Sequence, residues 1–256
     1  MNTPLTALVR PPTATFLRAL SRQEKRAPID FRLTLRQHRY YVETLISLGV
    51  KVEMLEPLDA FPDSTFIEDN VIVLDSVALL TSMSEPSRRG ETLHLKAALE
   101  RHRQVEMLEP PVFVDGGDVL QVNSTIFIGQ STRTNPLAVE AIAKFTDRPV
   151  VPVAVNGALH LKSAVGCLTG ELLLIDPERV DPAPFKNHSC IEVARGESNA
   201  ANCLTINGTV LMPRDYPKTR ALVEQRGLEV RAMPVSEFEK ADGGLTCLSV
   251  LIPSRS

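Results

Sequence analysis

The sequence has no strong excess of charge, no closely paired cysteines and no long apolar run. Its 256 residues include 28 basic and 31 acidic side chains, a formal net charge of -3, so no overall field favours nucleic acid or an acidic membrane surface. The apolar stretches are too short to span a bilayer. The first residues lack the basic start, long apolar core and cleavage site of a signal peptide. We therefore expect a cytoplasmic protein that binds neither nucleic acid nor a membrane.

The four cysteines are widely spaced, and no two of them form a CxxC pair. This spacing argues against the common zinc and redox motifs and favours a reducing compartment. Cys167 and Cys203 stand in apolar contexts, where a thiol usually serves as a small buried side chain. Cys247 differs from them because it closely follows a Gly-Gly pair near the end of the chain.

The sequence does contain a repeated unit. Residues 66–83 align with residues 113–131 when one gap is allowed, because each has an aromatic residue, an acidic residue and two apolar runs around a two-residue turn. Each is followed by a polar segment with arginine and then by a helical pattern. Two further strand-turn-strand segments lie at 163–176 and 201–213. The second of these turns at Asn207-Gly208, a strong hairpin signal.

These segments make four units of hairpin plus helix, and the two ends of the chain can form a fifth. A C-terminal strand at 245–252 would lie beside an N-terminal strand at 5–9 and close a ring. Since one unit cannot bury its apolar face alone, the units should pack radially with their helices outside. We predict a single α/β domain over residues 1–256 with pseudo-fivefold symmetry. The residues that precede the first hairpin strand of each unit should face the centre of the ring.

Those central positions carry reactive side chains, namely Glu68, Asp69, Asp115, His160 and Cys247. A free thiol has a pKa near ~8.5 and nearby carboxylates raise it, so a nucleophilic thiolate requires a cation that enters with the substrate. A guanidinium is the cation that paired carboxylates bind best. The residues therefore predict attack by cysteine on the carbon of a guanidinium group.

Each of these residues also has an ordinary structural interpretation. Glu68 and Asp69 could be turn residues at an exposed strand start, and His160 could be a hydrogen-bonded core histidine. The glycine pairs at 116–117 and 243–244 could serve only turns with positive φ. Their occurrence at equivalent points of a repeated unit nevertheless favours a shared site.

Seven motifs resemble, in this order, those of the dimethylarginine dimethylaminohydrolases, members of the guanidine-modifying amidinotransferase and deiminase superfamily: FPDSTFIEDN, SRRGET, VDGGDV, RTN, LHLK, ANC and DGGLTCLS. The resemblance covers residues 8–252, and the combination is specific although DGGD alone is not. It implies a five-bladed α/β-propeller with a central active site. It also implies hydrolysis of a small molecule, Nω-methylated L-arginine (asymmetric dimethylarginine or monomethylarginine), to citrulline and a methylamine without metal or organic cofactor.

The resemblance further implies roles for individual residues. Cys247 is the nucleophile, His160 is the general acid and base, and Asp115, where some relatives have glutamate, holds His160 or the substrate. The other matched positions bind substrate: Asp69 with Glu68 at the guanidinium, Asp63 near the amino end, Arg88 and Arg133 at the α-carboxylate, Leu20 as a lid residue, and the carbonyl oxygen of Ala241 at the α-amino group.

Two other functions are open. Arginine deiminases resemble this chain and share its chemistry, so unmethylated arginine is the nearest alternative substrate. Those enzymes carry a sizeable helical insertion, whereas the connections here are short. A non-catalytic guanidine-binding protein needs only carboxylates and arginines, and the joint presence of Cys247, His160 and Asp115 argues against it. A homodimer is compatible with the sequence, which does not determine the oligomeric state.

Overall fold

Five β-sheets of three strands each make up the computed structural model, which describes residues 5–254. The strands are β1 (Leu5–Val9), β2 (Lys51–Met54), β3 (Val71–Val73), β4 (Val77–Leu80), β5 (Gln104–Met107), β6 (Val119–Val122), β7 (Thr125–Gln130), β8 (Val150–Ala154), β9 (Val165–Cys167), β10 (Leu172–Ile175), β11 (Ser189–Glu192), β12 (Leu204–Ile206), β13 (Thr209–Pro213), β14 (Glu229–Met233) and β15 (Val250–Pro253). The α-helices are α1 (Phe31–Ser47), α2 (Lys96–Leu99), α3 (Leu137–Ala143), α4 (Pro217–Glu224) and α5 (Ser236–Glu239). No helix within 5–254 is long and apolar enough to cross a bilayer.

Each sheet is built in the same way. Two strands form an antiparallel pair, and a third strand lies parallel to the second of them, as in the β3-β4 hairpin with β5. A parallel neighbour requires a crossover connection, which is where α1, α2, α3 and α4 lie. In the last sheet β15 pairs antiparallel with β1, with Leu5 opposite Pro253, and β1 pairs parallel with β2. The predicted ring of five units closed by the chain ends is therefore confirmed.

The apolar core lies between neighbouring sheets. One cluster joins the β3-β4-β5 and β6-β7-β8 sheets through residues such as Leu79, Val119 and Ile126. Another joins the β6-β7-β8 and β9-β10-β11 sheets through Phe127, Val165 and others. No unit in the described chain thus buries its apolar face alone, which is the physical reason for the ring.

Two elements differ from their predictions. The unit with the hairpin at 163–176 connects β10 to β11 through only a 3₁₀ turn, Ala183–Phe185. Pro177, Pro182 and Pro184 in that connection restrict the backbone and remove donors, which excludes a longer helix. The C-terminal strand is also shorter than predicted, since it begins at Val250 rather than at 245.

Cys247 consequently lies in a 3₁₀ turn, Thr246–Leu248, and not in a strand. The side chain of Asn202 accepts the backbone N–H of Thr246 at 3.1 Å and donates to its Oγ1 at 3.2 Å, so this backbone is bonded to a side chain instead of a neighbouring strand. The other four units have a 3₁₀ turn at the equivalent point: Ile67–Asn70, Gly116–Asp118, Leu161–Ser163 and Ser198–Ala201. These turns surround the centre of the ring.

Candidate active site

A cavity of about 210 Å³ at the centre of the ring, which we call the Cys247 cavity, collects most of the predicted site residues. They come from four sequence regions that are far apart in the chain. Its predicted lining residues are Leu20, Asp63, Asp69, Arg88, Arg133, His160, Ala241 and Cys247. Asp115 lies fully buried behind His160, and Glu68 lines a different cavity.

His160 lies between two carboxylates. Its Nε2 is 3.0 Å from Oδ2 of Asp115, and its Nδ1 is 3.7 Å from Oδ1 of Asp69. Since a carboxylate only accepts, Nε2 carries the proton that it donates to Asp115. Burial by itself favours the neutral ring, but Asp69, Asp115 and Asp118 outweigh it and raise the pKa of His160 to about 9. The histidine is therefore held in one orientation, and its ring is the positively charged imidazolium at neutral pH.

Gly117 allows this close arrangement. Its N–H donates to Oδ1 of Asp69 at 3.1 Å. A Cβ at this position would lie 2.7 Å from Nδ1 of His160 and 2.8 Å from Oδ1 of Asp69, so no other residue fits without displacing them. None of the glycines at 116–117 and 243–244 has a positive φ. The interpretation of these pairs as positive-φ turns is therefore wrong. Gly117 instead allows the backbone to approach His160 and Asp69 closely.

Cys247 is a buried thiol in an acidic environment. Burial first, and then the carboxylates of Asp69 and Glu68, raise its pKa to about 12. The cysteine is thus a neutral thiol at neutral pH when no cation compensates these carboxylates. This agrees with the argument that a thiolate here depends on a cationic ligand.

Asp69 is bound by Arg88, which the family resemblance assigns to the substrate's α-carboxylate. Nη1 of Arg88 donates to Oδ2 of Asp69 at 2.7 Å, and Nη2 donates to the carbonyl oxygen of Phe66 at 3.0 Å. Nε and Nη2 also donate to the carboxylate of Glu91. Although burial opposes it, His160 and Arg88 lower the pKa of Asp69. Asp69 is therefore an ionised carboxylate with protein donors on both oxygens.

Arg133 has more freedom than Arg88 to bind a ligand. Its Nη1 is buried without a hydrogen-bond partner among residues 5–254, and it lies 3.8 Å from Oε2 of Glu85. Both arginines, each in the polar segment after one of the two aligned hairpins, line the Cys247 cavity. Of the two, Arg133 has the group with no hydrogen-bond partner in the described chain, Nη1, and it is a donor of the kind that an α-carboxylate requires.

The loop that contains Leu20 covers another part of the cavity. The N–H of Leu20 donates to Oδ1 of Asp63 at 3.1 Å, and the residue is 37% exposed. Burial raises the pKa of Asp63. Farther along the loop, the N–H of Arg22 donates to Oδ2 of Asp242, the residue after Ala241. The loop is thus attached on two sides by carboxylates that border the cavity.

Glu68 lies apart from these residues. It lines a second central cavity of about 450 Å³, the Lys162 cavity, where Oε1 of Glu68 accepts from Nζ of Lys162. Burial raises the pKa of Glu68, while Lys162 opposes this. The structure therefore does not bring Glu68 into the same cavity as Asp69, and its implied role in guanidinium binding stays a prediction.

Several residues that contact the predicted site residues were not themselves predicted from the sequence. Glu91 holds Arg88, Lys162 holds Glu68, and Asp118 lies behind His160. Their motifs, SRRGET, LHLK and DGGD, carry the signal, since each is polar and close to a predicted site residue. Only the tertiary contacts separate them from exposed polar neighbours.

Asp69, Asp115 and His160 are also the candidates for holding a metal ion. In the described chain their donor atoms lie within 4.8 Å of one another. These atoms bind each other, Arg88 and the N–H of Gly117, which fits a hydrogen-bonded histidine network. The expectation that no metal or cofactor is required stays a prediction.

The fold and the site together define a class, the guanidine-modifying enzymes that have a five-bladed α/β-propeller and a central cysteine. Comparison with known proteins specifies the family. Residues 13–191 match the model of the family described as N,N dimethylarginine dimethylhydrolase, eukaryotic, and the chain belongs to the dimethylarginine dimethylaminohydrolase family.

Individual relatives agree with this assignment. The chain is 33% identical to the N(G),N(G)-dimethylarginine dimethylaminohydrolase of Pseudomonas aeruginosa over 95% of this chain and 97% of that protein. It is 36% identical to the enzyme of the same name from Streptomyces coelicolor over 95% of each. A solved structure of a Cys-to-Ser mutant of the Pseudomonas aeruginosa enzyme, complexed with citrulline, superposes with a TM-score of 0.93 at 32% identity, covering 98% of this chain and 100% of that one.

Proposed function

We propose that this protein, as one catalytic domain over residues 1–256, hydrolyses Nω-methylated L-arginine to L-citrulline and a methylamine. The observation that carries the proposal is the joint presence of Cys247, the His160–Asp115 pair and Asp69 around one cavity. The family membership and the citrulline complex of a relative support the same reaction. Asymmetric dimethylarginine and monomethylarginine are the substrates to be compared.

The substrate's charge prepares the nucleophile. With burial, Asp69 and Glu68 hold the Cys247 thiol in its neutral form. A guanidinium that enters beside Asp69 compensates this negative field and lowers the free energy of the thiolate. The thiol proton leaves to solvent because His160 is already protonated below about pH 9.

The thiolate of Cys247 then attacks the guanidinium carbon. His160 donates a proton to the methylated nitrogen, the C–N bond breaks, and methylamine leaves. A covalent thiouronium remains on the sulfur, and His160 is now neutral. It removes a proton from a water molecule that attacks the same carbon, after which the C–S bond breaks, the remaining hydroxyl proton passes to the departing sulfur, and citrulline is released with Cys247 again a thiol. Asp115 keeps the ring in place and stabilises its protonated form.

The rest of the Cys247 cavity suits the amino-acid end of the substrate. Arg133 offers a free donor for the α-carboxylate, and Asp63 and the carbonyl of Ala241 are acceptors for the α-amino group. Leu20 lies at the border of the cavity as a lid residue. Arg88 contributes by holding Asp69, so we assign the α-carboxylate to Arg133 before Arg88.

A citrulline assay with asymmetric dimethylarginine, monomethylarginine and arginine side by side tests the proposal. We expect turnover of at least one methylated substrate that exceeds turnover of arginine. Faster turnover of arginine would make the chain an arginine deiminase-like hydrolase. Binding of all three without citrulline would make it a non-catalytic guanidine-binding protein. Sedimentation of the purified protein would test the expectation of a homodimer.

A further inference from the structure

Asp118 is a fully buried carboxylate that does not line the Cys247 cavity. Its Oδ2 accepts hydrogen bonds from the hydroxyls of Ser131 and Thr134, each at 2.6 Å. Its Oδ1 accepts the backbone N–H of Leu161 at 2.8 Å. Burial raises the pKa of Asp118, against the effect of His160 and of these donors. A buried carboxylate with three donors holds those donors in fixed positions.

Each donor belongs to a segment that carries a residue of the proposed site. Leu161 directly follows His160 in the chain. The hydroxyl of Thr134 accepts the backbone N–H of Asp115 at 3.2 Å, and that of Ser131 accepts the backbone N–H of Arg133 at 3.0 Å. Each hydroxyl has one proton and gives it to Asp118, which leaves a lone pair for the backbone N–H.

Gly129 in β7 provides the space for this contact. A Cβ at residue 129 would lie 2.5 Å from Oδ1 of Asp118 and 2.8 Å from Cβ of Leu161. A side chain there would push Asp118 and the segment after His160 apart. The absence of a side chain at 129 and the three bonds to Asp118 therefore serve the same packing arrangement.

We propose that Asp118 is a positioning residue that fixes His160, Asp115 and Arg133 relative to one another. This inference rests on the proposed function, because the three residues matter together only for a substrate that spans the Cys247 cavity. Through its bonds to Leu161 and Thr134, Asp118 fixes the positions of His160 and Asp115. Through its bond to Ser131, it fixes the position of Arg133, the arginine proposed for the α-carboxylate. The two hydroxyl contacts should therefore affect different kinetic constants.

The first test removes the negative charge without changing shape. In Asp118→Asn the amide NH₂ replaces one of the two carboxylate oxygens. Depending on which oxygen it replaces, either the N–H of Leu161 or the hydroxyls of Ser131 and Thr134 lose their acceptor. We expect kcat/KM to fall by about 10- to 100-fold, the effect of displacing catalytic groups by a fraction of an ångström to an ångström. Asp176→Asn is the matched control, because Asp176 is a buried carboxylate directly after β10 that accepts the backbone N–H of Glu178. A loss of equal size in both variants would overturn the proposal.

The second test separates the two contacts and does not depend on whether Asp118→Asn folds. Thr134→Val should lower kcat by roughly tenfold and leave KM within about threefold. Ser131→Ala should raise KM for the free amino acid by about 3- to 10-fold, leave kcat nearly unchanged, and have no effect with methylguanidine, which lacks a carboxylate. The same change in both variants, or no change in either, would overturn the proposal.

A third measurement is independent of activity. The Nε2–H of His160 should give a downfield proton resonance because it is bonded to Asp115, and His160→Gln identifies the signal. In Asp118→Asn or Thr134→Val this resonance should shift upfield or broaden, whereas Asp176→Asn should retain it. An unchanged resonance in both site variants would contradict the positioning role. Lack of turnover in the unmodified protein would refute the proposed function but leave this measurement valid.

Discussion

The two central cavities are built from the same turns but differ in charge. Residues that are neighbours or near neighbours in the chain line different cavities. Asp69, His160 and Cys247 line the smaller cavity, whereas their respective neighbours Glu68, Lys162 and Thr246 line the larger one. In the Lys162 cavity the one carboxylate is paired with the one lysine, and strand residues such as Val71 and Val165 form much of the wall. In the Cys247 cavity carboxylates surround a histidine and a thiol. The candidate reactive groups therefore lie in the smaller cavity, where carboxylates and the arginines Arg88 and Arg133 are gathered around them, and their place does not follow cavity size.

The largest expected effect is at the nucleophile. Cys247→Ser should abolish measurable turnover while retaining substrate binding, because Asp69 and Arg133 are still present. A citrulline assay and calorimetry measure the two quantities. Cys167→Ser, in the Lys162 cavity, is the matched control and should keep nearly full activity. Undiminished turnover in Cys247→Ser would remove the thiol from the mechanism.

Loss of the acid-base group should have the next largest effect. His160→Ala should lower kcat by about 10²- to 10⁴-fold, the usual contribution of a positioned acid-base group. If the second step suffers more, mass spectrometry of acid-quenched protein will show the thiouronium on Cys247. An unaffected rate would return His160 to the role of a core histidine.

At the amino-acid end of the Cys247 cavity, Arg133→Ala should reduce kcat/KM for the free amino acid by roughly 10- to 100-fold. A charge-assisted hydrogen bond to a carboxylate contributes about 1.5–3 kcal/mol. Methylguanidine should be affected much less, since it has no carboxylate. Arg89→Ala is the control, because Arg89 donates to the carbonyl oxygens of Met83 and Ser84. Equal losses on both substrates would show that Arg133 supports the fold or the chemistry.

The raised pKa of His160 also predicts a pH-dependent stability. The folded protein binds this proton more tightly than the unfolded chain, whose histidine titrates near 6.5, so the contribution is complete below that pH. It should decrease as pH rises and be lost as pH passes through about 9. Denaturant unfolding of the protein and of His160→Gln across this range isolates the effect. A constant difference between the two would show that Asp69, Asp115 and Asp118 do not raise this pKa.

The smallest effect on activity is expected in the Lys162 cavity. Glu68→Gln should change KM by less than about threefold, because a neutral hydrogen bond to Lys162 replaces the ion pair. The substitution should instead lower the free energy of unfolding, by on the order of 1–3 kcal/mol, because the mostly buried charge of Lys162 loses its charged partner. A large increase in KM would show that Glu68 binds the guanidinium after all, and that the two cavities act together.

The architecture could be predicted because the repeat is a property of the chain. Alternating apolar runs, the Asn207-Gly208 turn and the pairing of the two ends were sufficient to predict five units and their closure. The family and the cavity around Cys247, His160 and Asp69 followed from motifs at equivalent points of those units. The helix expected after the hairpin at 163–176 was wrong because three prolines outweigh the symmetry of the repeat.

The division of the central residues between two cavities was decided only by tertiary structure. Successive residues of a 3₁₀ turn point about 120° apart, so the rotation of the turn about its axis decides which of Glu68 and Asp69 faces which cavity. That rotation is fixed by contacts from distant segments: Arg88 and Gly117 on Asp69, and Lys162 on Glu68. The sequence by itself determined which chemical groups reach the centre, because their order in the repeat is local information. Which group faces the substrate depends on packing between units that lie far apart in the chain.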